Sequence, residues 1–283
     1  MIFRVSSDLG YELQGPATFF FAIKCIAAGG QRVLNENFYT SLGLPMDDFT
    51  ASAGINRFTR IRTSGPGYLQ VRYQADVETS FLIAEVASLN ADAPGKLEPD
   101  VIPFLFPSRY CQSDRLRQQA LDLFGHLPGP YSIAAAVSDW IHEKVTYRSG
   151  STNEQSSAVD TLEQRQGVCR DFAHLAIALC RALNVPARYV SCYSHGLQPA
   201  DFHAVFEVFI GDLWYVFDPT RLAPLNGLVR VATGRDAADV SVCTIFGDPL
   251  LQGSSIICNS LDSQFIPVNR DTLAEARQAI ALL

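Results

Sequence analysis

The stretch Gly167-Val168-Cys169-Arg170-Asp171-Phe172-Ala173-His174 decides the fold, because it opens a run that stays apolar through Leu183 with only Arg170, Asp171, His174 and Arg181 interrupting. Read as a helix, it puts Cys169 in the first turn and Phe172, Ala173, Ala176, Cys180 and Leu183 on the same face, the spacing of a helical stripe. A helix apolar nearly all round belongs in the middle of a domain. A thiol at its start meets the positive end of the helix dipole, which favours thiolate. Cys169 is therefore a candidate nucleophile.

A nucleophilic thiol needs a base, and the base needs an acceptor that fixes its orientation. The chain downstream of Leu183 offers both. Pro186 ends the helix, Ala187 to Tyr193 reads as a strand, and His203 to Ile210 and Leu213 to Asp218 are strongly β-type runs joined by Gly211-Asp212, a hairpin signal. With a two-residue turn, Ile210 faces Leu213, Phe209 faces Trp214 and Val205 faces Asp218. Side chains alternate by two, so His203, Val205 and Asp218 share a face, and His203 and Asp218 become diagonal neighbours at roughly 7 Å. An odd loop would throw Asp218 to the other face. The expected chemistry is attack by Cys169 on an amide carbonyl, with His203 carrying the proton to the leaving amine and Asp218 orienting the imidazole. Backbone N–H groups at the helix start would bind the oxyanion, assisted by a side-chain donor from upstream, Tyr147 or Trp140.

The preceding part of the chain is different in kind. Residues 1 to about 105 read mostly as strands. Arg57 to Arg62 alternates, Tyr68 to Val77 alternates after the turn Ser64-Gly65-Pro66-Gly67, and Phe81 to Val86 suits a sandwich core. A helical period of any length is suggested only around Phe21 to Ala28. No motif here attaches to chemistry, so the expectation is a β-sandwich accessory domain. Pro94, Pro99, Pro103 and Pro107 hinder helix and central strand alike and mark the connection. Beyond it, Ser113-Asp114 caps a helix to about Phe124, and a second helix runs from Tyr131 to about Val145 with Ile133, Val137, Trp140 and Ile141 on one face. Tyr147 to Ser157 is a polar loop, and Ala158 to Arg165 forms a helical turn or two. Strands follow near Val229 to Ala232 and Ser254 to Cys258, then a terminal amphipathic helix from Asp271 to Leu283.

Composition bounds the function. The 283 residues carry 22 Lys and Arg against 29 Asp and Glu, a net charge of -7, with no basic cluster. A nucleic-acid or anionic-membrane role is not expected. Met1-Ile2-Phe3-Arg4-Val5 does not read as a signal peptide, and the apolar stretch Ala17 to Ala28 contains Lys24 and is too short to span a bilayer. Seven scattered cysteines with no CxxC pair suit a reduced, cytoplasmic setting better than disulfides or zinc.

These blocks resemble the transglutaminase-like superfamily. The likeness is carried by Gly167 to His174, by Arg181-Ala182-Leu183-Asn184-Val185-Pro186-Ala187-Arg188-Tyr189-Val190, by Asp201-Phe202-His203-Ala204-Val205-Phe206-Glu207-Val208 and by Trp214-Tyr215-Val216-Phe217-Asp218-Pro219-Thr220. Pro107-Ser108-Arg109-Tyr110-Cys111 and Gly234-Arg235-Asp236-Ala237-Ala238-Asp239-Val240 are similar to the bacterial branch, in which a β-rich domain precedes the catalytic one. The pattern commonly has Trp at Val205 and Gly at Cys192. The resemblance implies an α+β fold, with an N-terminal β-sandwich over residues 1–105. Over residues 106–283 it implies a papain-like, transglutaminase-core catalytic domain, a central helix on an antiparallel sheet. It implies no metal or organic cofactor, a peptide or protein substrate, and Cys169, His203 and Asp218 as nucleophile, base and orienting residue. Hydrolysis of a peptide or glutamine amide, as in a cysteine protease, is the expected reaction. Transamidation and a non-catalytic peptide-binding scaffold are the alternatives, and oligomeric state is left open.

The other reactive residues have plainer readings. Cys25, Cys111, Cys180, Cys192, Cys243 and Cys258 are expected as small core residues, and His174 as a hydrogen-bonded core histidine. His195 is expected in a solvated loop, and His126 and His142 at the surface. Asp201 and Glu207 should partner nearby Arg or backbone groups, and Arg235 with Asp236 should fix a turn. A zinc site from Cys169, His174 and His203 lacks the short paired spacings of such sites.

Overall fold

The structure, a computed structural model, describes residues 1–51, 54–89 and 96–283. The first seven strands are β1 (Ile2–Leu13), β2 (Ala17–Phe21), β3 (Gln31–Thr40), β4 (Met46–Thr50), β5 (Arg57–Thr63), β6 (Gly67–Thr79) and β7 (Phe81–Glu85), and strand alternation becomes burial alternation most clearly in β2 and β6. In β6 every second residue from Leu69 to Thr79 is buried while its neighbours face out. Helices α1 (Arg117–Phe124) and α2 (Gly129–Lys144) follow, then β8 (Thr146–Tyr147), α3 (Ala158–Gln164), β9 (Gln166–Gly167) and α4 (Cys169–Ala182). The chain continues through β10 (Ala187–Ser194), β11 (His203–Ile210), β12 (Leu213–Phe217), β13 (Leu228–Gly234), β14 (Cys243–Phe246), β15 (Leu250–Ser260), α5 (Arg270–Ala276) and β16 (Gln278–Leu282).

Two four-stranded sheets, ordered β15-β1-β6-β3 and β14-β2-β5-β4, make the sandwich, and a six-stranded sheet ordered β13-β10-β11-β12-β16-β7 makes the catalytic half. All of their pairings are antiparallel. The sheets do not divide at one point in the chain. The sandwich takes β14 and β15 from beyond residue 240, and the catalytic sheet takes β7 from the first hundred residues. One apolar core runs through both halves, from Phe3 and Phe19 to Phe172 and Phe206. Polar groups weld the seam: Gln31 Nε2 donates to the carbonyls of Ile26 and Arg230, and Tyr193 Oη donates to the Ile23 carbonyl.

Helix α4 is buried at every position from Asp171 to Ala182, as its composition requires. It lies against β10, β11, α1, α2 and α3. Arg181, buried near its end, gives its guanidinium hydrogens to the carbonyls of Ala187, Arg235 and Phe106 and to Ser108 Oγ. One cation thus ties the Pro-rich connection and the turn after β13 to the central helix.

Four local expectations are corrected. The segment Phe21 to Ala28 is not helical: β2 ends at Phe21, and Ile23, Cys25 and Ile26 are buried as irregular chain. Phe81 to Val86 lies not in the sandwich core but at the edge of the catalytic sheet, paired with β16, with Leu82 and Ile83 exposed. The terminal helix stops at Ala276, because Arg277 turns left-handed and Gln278–Leu282 pairs with β7 instead. Strand pairing across 193 residues overrides helical propensity there. Helix α1 begins at Arg117 with no side-chain cap, since residues 113–116 form a tight turn ahead of it. Pro94 lies outside the described residues.

Candidate active site

Gly167, Val168 and Asp171 set the start of α4. The Asp171 carboxylate reaches back to accept the Val168 N–H at 2.9 Å and the Thr152 hydroxyl at 2.7 Å, so the acid in the first turn satisfies an orphan donor and suits the positive helix end. Its approach leaves no room for a side chain before Val168: a Cβ on Gly167 would stand 2.6 Å from Asp171 Cβ. Cys169 follows, partly exposed, while His203 and Asp218 are almost wholly buried.

The hairpin holds the register that its turn dictates. Gly211 and Asp212 both take positive φ, 52° and 67°, as the two central residues of the tight hairpin turn must. Ile210 pairs with Leu213, Phe209 with Trp214 and Phe206 with Phe217, so Val205 comes opposite Asp218. His203 Nε2 donates to Asp218 Oδ2 at 2.8 Å, and Cys169 lines the same cleft as the imidazole, near enough to favour its charged form. The structure therefore brings together Cys169, His203 and Asp218.

Electrostatics follows from burial. Desolvation alone would push His203 down, but the Asp218 carboxylate and then Cys169 override it and lift the imidazole to about 10. Desolvation likewise acts to raise Asp218, and His203 together with Thr220 holds the carboxyl below its usual range. Thr220 gives both its N–H (2.9 Å) and its hydroxyl (2.7 Å) to Asp218 Oδ1. This short turn around the carboxylate is a role not read from the sequence. A threonine two residues after an aspartate was its available signal.

The two upstream candidates part company. Tyr147 pairs across to Gly167 and packs on Phe172 at 5.9 Å between ring centres, which brings it beside Cys169. Burial, then the neighbouring Cys169 and Asp201, push its hydroxyl up to about 12, so it keeps its proton at neutral pH. Trp140 instead stands edge-on to Phe124 and carries the Arg165 guanidinium 4.5 Å above its ring. Neither ring is among the residues lining the cleft around Cys169; Tyr147 stands beside the cysteine, whereas the contacts of Trp140 with Phe124 and Arg165 turn it away.

His174 is a core residue. It is stacked between Tyr110 and Tyr189, its Nε2 accepts the Ala237 N–H, and burial followed by Arg170 and Arg181 drives its pKa well below 6.5. Glu207 pairs with Arg188, and Asp201 accepts the Phe202 N–H. Asp236 does not pair with Arg235: it accepts the Tyr110 and Ala238 N–H groups, and Arg235 bonds Asp239 four residues on. His195 is half-buried against Phe3 and Phe265 rather than solvated.

Cys169 and His203 open into a cleft of about 740 Å³. Its floor includes Tyr189 and Ser191 of β10. Leu9 and Tyr11 of β1, with β14 and the start of β15, bring the sandwich into its wall. Cys243 also lines this cleft and is not a purely core thiol. None of these wall residues was singled out from sequence as part of the site, since each lies far along the chain from the cysteine, histidine and aspartate.

A buried helix opening on a cysteine over an antiparallel sheet is the architecture of a cysteine-dependent enzyme. Residues 117–219 match the family described as the transglutaminase-like superfamily, and residues 1–99 match the bacterial transglutaminase N-terminal domain. The solved structure of a candidate cysteine protease from Cytophaga hutchinsonii is 43% identical, covers 100% of this chain and 98% of its own, and superposes with a TM-score of 0.95. An uncharacterized protein of Mycobacterium leprae is 35% identical over 40% of this chain, and one of Mycobacterium tuberculosis 31% identical over 66%. The matches span 43% and 60% of the lengths of those two proteins. The chain belongs to the transglutaminase-like superfamily.

Proposed function

We propose that the protein is a cysteine peptidase or amidase of a reducing, cytoplasmic compartment, acting on peptide or protein substrates with Cys169 as nucleophile, His203 as base and Asp218 as the residue that orients it. The observation that carries this reading is the placement of Cys169 beside His203 in an open cleft, with the imidazole of His203 bonded to the buried Asp218 carboxylate behind it. The buried Asp218 carboxylate favours imidazolium, which in turn favours thiolate. The thiolate attacks the amide carbon, the C–N bond breaks, and the His203 proton leaves with the amine. Water then resolves the thioester, with His203 taking its proton. The Tyr147 hydroxyl and the helix-start N–H groups stabilise the oxyanion. Likeness to a candidate cysteine protease over the whole chain supports hydrolysis, as does a cleft wide enough to admit water.

Iodoacetamide labelling at mildly acidic pH tests the nucleophile. Cys169 should react well ahead of the other accessible thiols, and Cys169→Ala should abolish amide turnover. Equal labelling, with full activity in the variant, would remove the enzyme reading. Mass spectrometry of a glutamine-containing peptide pool with and without added amine tests the acceptor. Hydrolysed products are expected, and amine adducts alone would replace hydrolysis by transamidation.

A further inference from the structure

Strand β14 is the outermost strand of its sheet, paired with β2 on one side and with no strand on the other among the described residues. Its stretch Cys243–Ile245, with Val242 before it, lines the same cleft as Cys169 and His203. The register says which backbone groups are left over. The Ala22 N–H donates to the Val242 carbonyl, so Val242, Thr244 and Phe246 direct their N–H and C=O toward β2, and alternation turns those of Cys243 and Ile245 outward. The Cys243 carbonyl accepts the Ser241 hydroxyl at 3.2 Å. The Ile245 N–H and carbonyl have no partner among the described residues.

Free strand edges template pairing with another chain, and proteins usually blunt them with charge or proline. Val242-Cys243-Thr244-Ile245-Phe246 carries neither. The lining beside it mixes apolar Leu9, Tyr11, Ile245 and Leu251 with the hydroxyls of Ser241, Thr244 and Ser254. We propose that β14 is the substrate-binding strand. An extended peptide with apolar side chains adds to its free edge, bonds the Ile245 N–H and carbonyl, and lies with its scissile amide across Cys169. This rests on the reading of Cys169 as nucleophile and names the substrate class: an unpaired polypeptide segment, not a glutamine side chain on a folded surface.

Ile245→Pro isolates the idea, because it removes an N–H that the β14–β2 ladder does not use. Two alkylating probes are compared on the full chain, iodoacetamide and an acetylated apolar tetrapeptide chloromethyl ketone. Loss of a backbone hydrogen bond should slow the peptide reagent about tenfold while iodoacetamide labels Cys169 at the wild-type rate. A series of the same reagent N-methylated at each amide in turn, applied to the wild-type protein, should lose the same factor at one position, which keeps the test open if the variant does not fold. Equal slowing of both probes, or no slowing of the peptide probe by proline and by every N-methyl group, overturns strand addition. Failure of both probes to label Cys169 in the wild-type protein instead overturns the nucleophile reading itself.

Discussion

Asp218→Asn keeps the size of the side chain and removes its charge from a pair 2.8 Å apart and closed to solvent. Lifting the imidazole from an ordinary 6.5 to about 10 is 3.5 pH units, about 5 kcal/mol of preference for the charged ring. Coulomb attraction across 2.8 Å at an effective dielectric of about 20 gives about 6 kcal/mol, the same order. Cys169 supplies part of that lift and the asparagine keeps a hydrogen-bonding atom, so a loss of about 3–5 kcal/mol is expected at the site, or about 10²–10⁴ in rate. With the carboxylate gone, desolvation, the largest effect on His203, is opposed by Cys169 alone, and the ring holds its proton less well at pH 6. The assay is the rate of iodoacetamide labelling of Cys169 at pH 6, read by mass spectrometry, beside circular dichroism to establish that the variant is folded. A folded Asp218→Asn protein that labels at the wild-type rate at pH 6 would refute the claim that this carboxylate sets the charge of His203.

Three further outcomes follow from the same geometry. Because His203 is raised on folding, its contribution to stability is complete below about 6.5 and is lost as pH rises through about 10. The urea midpoint of the wild-type protein should therefore fall between those values, and a midpoint that stays level there while Asp218→Asn falls would contradict it. Gly167→Ala drives a methyl to within 2.6 Å of Asp171 Cβ. It should cost about 1–3 kcal/mol in urea unfolding and slow Cys169 labelling, whereas an unchanged midpoint would mean that the contact is relieved without cost. Tyr147→Phe should lower kcat about 10–10³-fold with KM little changed, and a rise in KM alone would assign the hydroxyl to substrate binding.

The grouping of Cys169, His203 and Asp218 was legible because each of its parts obeys a local rule. Gly167-Val168-Cys169 begins an apolar helical stripe, and a two-residue Gly211-Asp212 turn admits a single parity, which sets His203 and Asp218 on one face. Those relations depend on neighbours within twenty residues, and the family pattern in the same blocks pointed to the same three side chains. Where the structure departed, the deciding partner was remote. Phe81–Glu85 and Gln278–Leu282 read as a sandwich strand and a helix until they pair with each other, and Trp140 is drawn off by Phe124 and Arg165.

The class of fold, the central helix and the register that links His203 to Asp218 came from the amino-acid sequence. These rest on periodicity and turn stereochemistry, which act along the chain. Tertiary structure alone decided what surrounds Cys169: a cleft wall taken from β1, β14 and β15. Those contacts join residues up to more than a hundred and fifty positions apart, and their energy exists only once burial has brought them together and removed the water between them.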